Sequence, residues 1–227
     1  MNIAGLLKTT LLDYPEHVAA TVFLGGCNML CPFCHNAELI GNPEELYTKE
    51  SFFQFLKKRK GILDGVCISG GEPTIHSTLP DFIIQIKALG YLVKLDTNGT
   101  NSAMLRQLIH ENKIDYVAMD VKSGISSYSM CCGCRVSMDS ILESIAILKE
   151  HRIPYEFRTT VVNELHGQKD MIEIGKMLQG ASKYFLQSFV PSPQVPVDCF
   201  HAPSTEQLKE YQHILKEFVP NTFIRGE

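Results

Sequence analysis

The sequence predicts an α/β fold. Short apolar runs rich in β-branched residues alternate with segments in which apolar residues recur every three or four positions. This alternation is typical of βαβ units, in which helices cover a parallel sheet. The chain has 227 residues, 44% of them hydrophobic and 20% charged, which indicates a soluble protein large enough for a real core.

Six apolar runs are predicted strands, and the first two of them end at glycine pairs and the next two at aspartates. These strands cover residues 18–24, 65–69, 91–96, 115–119, 155–162 and 184–189. Helical spacing of apolar residues predicts helices over residues 49–58, 79–89, 103–111, 138–151, 170–178 and 205–218.

The number of units suggests the architecture. Six strand–helix units fit this length, whereas a complete eight-unit barrel usually needs about 250 residues. We therefore expect a partial (β/α)6 barrel of the TIM type, formed as a single domain over residues 1–227, and the pattern alone also allows a doubly wound open sheet.

Charge and targeting signals narrow the function class. The formal net charge is −4, and the basic run at residues 57–60 suits the end of a helix, so no nucleic-acid partner is expected. Residues 1–12 lack a secretory signal, and no stretch approaches the roughly 20 apolar residues of a membrane span. We expect a cytoplasmic protein with no membrane partner. In a cytosolic protein its eight cysteines are expected to be metal ligands, catalytic thiols or buried thiols rather than disulfides.

A C-x-x-x-C-x-x-C loop directly follows the first predicted strand and contains Cys27, Cys31 and Cys34. A closed zinc site needs four ligands, and the adjacent His35 is a poor fourth. The last part also matches a C-x-x-C-H haem attachment motif, but that reading requires export. Three thiolates suit a [4Fe-4S] cluster whose fourth iron keeps an open position.

Polar and glycine residues follow the next three predicted strands, at the edge where parallel α/β folds bind ligands. The second strand leads into G-G-E-P at residues 70–73, the third into D-T-N-G at 96–99, and the fourth into D-V-K at 120–122. Each motif alone also fits an ordinary turn or a surface ion pair. Two carboxylates at neighbouring strand ends could instead hold a hard cation.

Arg158 is a charge within the fifth, largely apolar strand. An unpaired buried guanidinium is costly, so Arg158 should meet an anion. That anion is either a ligand or Glu156, which lies on the same strand face. Gln187, near the end of the sixth strand, is a weaker candidate for ligand binding.

Taken together, these motifs resemble those of the radical S-adenosylmethionine (SAM) superfamily. The similarity extends from Gly5 to Gly226 and is greatest to glycyl-radical enzyme activating proteins, including those of anaerobic ribonucleoside-triphosphate reductase and pyruvate formate-lyase. The resemblance assigns two sets of site residues: the cluster ligands Cys27, Cys31 and Cys34, and the SAM-binding residues Phe33, Gly70, Gly71, Glu72, Asp96, Thr97, Asp120, Lys122 and Arg158.

The resemblance also implies individual roles. Phe33 would pack near the adenine, the G-G-E-P segment would meet the SAM amino group, and Arg158 would contact the SAM carboxylate. The D-T-N-G and D-V-K segments would belong to the surroundings of SAM and of a monovalent cation.

The implied activity is reductive cleavage of SAM to a 5′-deoxyadenosyl radical, which generates a glycyl radical on a partner enzyme. The partner that the resemblance implies is anaerobic ribonucleoside-triphosphate reductase. A flavodoxin- or ferredoxin-type protein would donate the electron. Two alternatives remain: a radical SAM enzyme acting on a small molecule or another peptide, and a non-catalytic iron–sulfur sensor or electron carrier.

The cysteines outside the cluster motif bear on whether a second cluster is present. Cys67 is the one cysteine between the cluster motif and G-G-E-P, which excludes a second cluster in that segment. Cys131, Cys132 and Cys134 form a run that the resemblance does not explain. We interpret them as buried or incidental thiols rather than as a second metal centre.

Overall fold

The computed structural model describes residues 1–41, 43–150 and 152–226. Strands and helices alternate along most of this part of the chain. In chain order they are β1 (Ile3–Thr10), β2 (Ala19–Leu24), α1 (Lys49–Lys58), β3 (Gly65–Gly70), α2 (Leu79–Ala88), β4 (Leu92–Thr97), α3 (Ser102–His110), β5 (Tyr116–Asp120), α4 (Tyr128–Cys132), α5 (Met138–Lys149), β6 (Tyr155–Val161), α6 (Gln168–Leu178), β7 (Tyr184–Ser188), α7 (Thr205–Lys216) and β8 (Thr222–Arg225).

The strands form one sheet in the order β1 to β8. Strand β1 pairs antiparallel with β2, whereas β2 with β3, β3 with β4, β6 with β7, and β7 with β8 pair in parallel. A mostly parallel sheet whose strands alternate with helices confirms the predicted α/β class and is consistent with a partial TIM-type barrel.

All six predicted strands and all six predicted helices are present, and their ends agree to within two residues. The last position of the predicted helix over residues 138–151 lies outside the described residues. Side-chain caps explain several helix starts. Thr48 accepts a hydrogen bond from the Ser51 amide, and Ser204 and Gln207 form a capping box at α7.

The prediction of six strands missed two more, because neither has a strong local signal. Strand β1 has three exposed positions in a row, and it is held by its pairing with β2, from Ile3 opposite Leu24 to Thr10 opposite Ala19. Strand β8 has four residues and pairs with β7. Helix α4 was also missed, since its five residues are too short for a helical period.

The described chain divides into two compact units. The first contains residues 1–28, 38–97 and 103–117, and its core includes the buried side chains of Val22, Phe52, Ile68, Phe82 and Leu95. The second contains residues 29–37, 98–102 and the chain from 118 onward, and its core includes Met119, Phe157, Ile174 and Leu186. The expectation of a single domain stays a prediction.

Among the described residues, each helix is too short or too polar to cross a membrane.

Candidate functional site

The cysteine loop of the second unit covers residues 29–37. In it Cys31 is buried and Cys34 is partly buried. The Cys34 amide donates a hydrogen bond to the Cys31 carbonyl at 3.1 Å, which makes a tight turn between the two thiols. Phe33, between them, is 4% exposed and packs edge-to-face on the ring of the buried His166, with 6.3 Å between ring centroids. The Phe33 ring is therefore fixed by packing.

The two thiols of this loop differ in acidity. A hydrogen bond with the Cys132 side chain lowers the pKa of Cys31 to about 6, against the opposing effect of burial. Burial raises the pKa of Cys34. Cys31 is therefore the thiol that becomes a thiolate more readily.

In the first unit, Cys27 lies where two glycine loops meet. The Glu72 amide donates to the Gly26 carbonyl at 2.8 Å, and a Cβ atom added to Gly71 would lie 2.0 Å from that carbonyl oxygen. Gly70 has φ +114° and packs directly on the backbone of Leu24. Both glycines are thus required by the backbone path, which brings the loop after β3 against the loop of Cys27.

The donor chemistry of the cysteine motif fits an iron–sulfur cluster. Cys27, Cys31 and Cys34 take part in no disulfide among the described residues, and cysteine sulfur is the ligand type that [4Fe-4S] clusters use. Among the described residues, no three histidine, cysteine, aspartate or glutamate side chains form a group that could hold a metal ion. The cysteine sulfurs are thus of the required ligand type, and the predicted cluster ligands stay a prediction.

Glu72 is 1% exposed and its carboxylate is engaged within the first unit. Its Oε1 accepts hydrogen bonds from the Thr74 amide at 3.0 Å and from Thr97 Oγ1 at 2.8 Å. The predicted residues Glu72 and Thr97 are thus joined directly, and they link the end of β3 to the end of β4.

Asp96, at the end of β4, is held by two partners in the same unit. Its Oδ2 accepts from Ser69 Oγ at 2.9 Å, and its Oδ1 forms an ion pair with Lys94. The Lys94 side chain is 2% exposed, and its Nζ also lies 3.6 Å from Cys67 Sγ. Lys94 was missed from the sequence, although a lysine within an apolar strand is the same signal that singled out Arg158.

In the second unit, the predicted residues Asp120, Lys122 and Arg158 form one charged group. Arg158 Nε donates to Asp120 Oδ1 at 2.9 Å, and Lys122 Nζ donates to Asp120 Oδ2 at 3.1 Å. The Asp120 side chain is 33% exposed, and the cations are more buried. The group thus joins two cations to one carboxylate.

Glu156 and Arg158 each form an ion pair with a residue of another strand. Glu156, which is 1% exposed, forms a two-pronged ion pair with Arg225, with Nη1–Oε1 at 2.7 Å and Nη2–Oε2 at 2.9 Å. Arg158 meets the carboxylate of Asp120, as the expectation of an anion at this position requires. Gln187 lies partly buried in β7, opposite Arg225 of β8.

Mutual attraction keeps this group charged. Burial alone would raise the pKa of Asp120, but the charges of Arg158 and Lys122 outweigh burial, and the pKa lies well below its ordinary value. Burial alone would lower the pKa of Lys122, and the Asp120 carboxylate raises it instead. Around neutral pH the carboxylate and both cations are therefore ionised.

Helix α4 brings the unexplained cysteine run to the cysteine loop of the same unit. Cys131 and Cys132 are fully buried, and Cys134 is partly exposed. The Leu30 amide donates to the Cys132 carbonyl at 2.8 Å. The burial of Cys131 and Cys132 agrees with their interpretation as buried or incidental thiols. The contact of α4 with the loop could not be predicted, because a five-residue helix gives no pattern.

Three comparisons with known proteins address the family. The model of the Radical SAM superfamily matches residues 21–174. A Methanocaldococcus jannaschii protein named "Putative glycyl-radical enzyme activating enzyme MJ1227" is 33% identical over 98% of this chain and 95% of its own length. The 7-carboxy-7-deazaguanine synthase of Haemophilus influenzae is 28% identical over 71% of this chain and 76% of its own.

A solved structure agrees on the fold. A domain of pyruvate-formate lyase-activating enzyme from Bacteroides vulgatus superposes with a TM-score of 0.58 at 20% identity, covering 71% of this chain and 99% of that domain. The family model spans more than half of the chain, and the first relative is similar over nearly all of it. By sequence and by fold, this chain belongs to the radical SAM superfamily.

Proposed function

We propose that this chain is a radical SAM activase that generates a glycyl radical on a partner enzyme. The observation that carries the proposal is the 33% identity over 98% of the chain to a relative named as a glycyl-radical enzyme activating enzyme. Membership of the radical SAM superfamily implies a [4Fe-4S] cluster and SAM as cofactors. Cys27, Cys31 and Cys34 are the residues that would hold the cluster.

The chemistry divides between cofactors and protein. When bound, the reduced cluster supplies the electron that breaks the S–C5′ bond of SAM, giving methionine and the 5′-deoxyadenosyl radical that removes a hydrogen atom from a glycine Cα of the partner. The protein binds and orients SAM and excludes water.

The charged group of the second unit is suited to an anionic part of SAM. Lys122 and Arg158 lie side by side on Asp120, and cationic side chains are suited to bind the methionine carboxylate. Asp120 already pairs with two cations, so its role is to hold their side chains in place. The monovalent cation that the resemblance implies stays a prediction.

The first unit offers groups suited to the rest of SAM. Asp96, held by Ser69 and Lys94, is a fixed carboxylate at a strand end that could accept from ribose hydroxyls. Gly70 and Gly71 let the loop after β3 pack on the loop of Cys27, which fixes the G-G-E-P segment at this strand end. Phe33, in the second unit, is the proposed adenine contact.

The proposed partner is anaerobic ribonucleoside-triphosphate reductase, and the proposed electron donor is a flavodoxin- or ferredoxin-type protein. The test is anaerobic incubation of the reconstituted chain with SAM, a reductant and a candidate glycyl-radical enzyme, followed by electron paramagnetic resonance. A glycyl radical doublet that requires both SAM and this chain is expected. SAM cleavage with no radical on any glycyl-radical enzyme tested would contradict the activase role.

A second function is favoured by one specific observation. The similarity to a 7-carboxy-7-deazaguanine synthase extends over 71% of this chain, so a small-molecule substrate is the runner-up. Turnover of a small heterocyclic substrate with SAM, in the absence of any protein partner, would support it over the activase.

A further inference from the structure

The C-terminal end of α4 lies directly against the cysteine loop of the second unit. The Leu30 amide donates to the Cys132 carbonyl at 2.8 Å. Gly133, which ends α4 with φ 65°, fits so closely that an added Cβ atom would lie 2.1 Å from the Leu30 carbonyl oxygen. Backbone contacts on both sides of Leu30 therefore fix the position of Cys132 relative to Cys31.

The burial of the side chains agrees with this placement of Cys132 beside Cys31. Cys132 is fully buried and Cys31 is 6% exposed, and the backbone contact between Leu30 and Cys132 brings these two buried residues side by side. The neighbouring Cys131 is equally buried but contacts a different region, with its Sγ 4.0 Å from the Leu165 carbonyl oxygen. Of the two adjacent residues, Cys132 is the one whose backbone is bonded to Leu30, the neighbour of Cys31.

We propose that Cys132 is a positioning residue that donates its S–H group to the Cys31 sulfur when Cys31 is a cluster ligand. A hydrogen bond to a ligand sulfur stabilises the extra negative charge of the reduced cluster and so raises its reduction potential. This inference rests on the proposed function, because it takes Cys31 to be a ligand. It gives a role to a cysteine that the cluster motif does not include.

The first experiment measures the cluster potential. Redox titration followed by electron paramagnetic resonance is carried out on the reconstituted parent chain, Cys132→Ala, Cys132→Ser and Cys131→Ala. Cys132→Ala should lower the ratio of reduced to oxidised cluster at a fixed solution potential by about threefold, since a thiol is a weak donor. Cys132→Ser keeps a donor and should lie nearer the parent, and Cys131→Ala should match the parent.

The outcomes separate this inference from the proposed function. A parental potential in Cys132→Ala overturns the role of Cys132 and leaves the activase proposal intact. Failure of the parent chain to bind any cluster overturns the proposed function itself. A shift of equal size in Cys131→Ala would show that packing is responsible, which also contradicts the hydrogen-bond role.

A second experiment tests the contact without a cluster. The cluster-free chain is treated with diamide, which takes two electrons and two protons from a pair of thiols, is reduced to the hydrazine, and leaves a disulfide. Trypsin releases residues 9–49 and 123–135 as separate peptides, and tandem mass spectrometry locates any link between them. A Cys31–Cys132 link is expected in preference to a Cys31–Cys131 link. The reverse preference would contradict the contact, even if the Cys132 variants fail to bind a cluster.

Discussion

At the scale of single residues, the most informative feature is the placement of charges within apolar strands. Arg158 stood out in the sequence because a charge interrupts an apolar run, and the structure places it on Asp120. The pairing of Glu156 with Arg225 could not be predicted from the sequence, because Arg225 lies 69 positions away in a strand that has no sequence signal. Strand patterns reveal which residue must be paired but not which residue pairs with it.

The charged group of Asp120, Lys122 and Arg158 leads to a prediction about stability. Asp120→Asn should reduce the free energy of unfolding at pH 7 by about 1–2 kcal/mol, because two cations lose their carboxylate in a partly exposed site. The pKa of Asp120 is lowered by folding, so its contribution is complete above the unfolded value of about 3.9 and is lost as pH falls below it. Urea unfolding at pH 7 and pH 3 should show the difference between variant and parent shrinking at pH 3.

The same variant distinguishes two roles of Asp120. If the group binds SAM, Asp120→Asn should weaken SAM affinity at pH 7 while iron content stays at the parental level. Lower stability with unchanged SAM affinity would mean that Asp120 is structural. Equilibrium binding of SAM to the reconstituted chain gives this answer directly.

At the scale of elements, the strands and helices that the sequence predicted are those that carry their own hydrophobic period. Strand β1, strand β8 and helix α4 lack such a period and depend on neighbours: β1 on pairing with β2, β8 on pairing with β7, and α4 on Leu30. These elements were missed for one physical reason. Their stability comes from tertiary contacts that a local pattern does not contain.

The end of α4 gives a prediction about packing. Gly133→Ala should destabilise the fold for two reasons. A non-glycine residue in a left-handed backbone conformation costs about 1–2 kcal/mol. The clash of the added Cβ atom with Leu30 should cost about 1–3 kcal/mol more. Gly180→Ala is a matched control, since Gly180 has φ +81° but no atom within 4 Å of the added Cβ. Thermal or urea unfolding should show a larger loss for Gly133→Ala. Equal losses would mean that the α4 contact does not contribute.

At the scale of the whole molecule, the sequence was sufficient for the α/β class and for the superfamily. The cysteine loop and the strand-end motifs are local, and local motifs can be read without a structure. The network that joins Glu72 to Thr97 and the contact between Cys132 and Cys31 could not be read, because each joins residues from separate elements.

Iron stoichiometry tests whether the chain holds one cluster. Changing Cys131, Cys132 and Cys134 together to serine should leave about four iron atoms per chain, the content of one [4Fe-4S] cluster. Serine keeps a donor at position 132, so SAM cleavage should also be largely retained. About eight iron atoms in the parent, falling by half in the triple variant, would reveal a second cluster.

The central claim is that this chain cleaves SAM through a cluster held by Cys27, Cys31 and Cys34. The most direct measurement is the yield of 5′-deoxyadenosine from SAM after anaerobic reconstitution and reduction, compared between the parent, Cys31→Ala and the buried control Cys131→Ala. The parent and Cys131→Ala should each form one methionine for every 5′-deoxyadenosine, with similar yields in the two proteins, and Cys31→Ala should form neither product. Parental cleavage by Cys31→Ala would contradict the central claim.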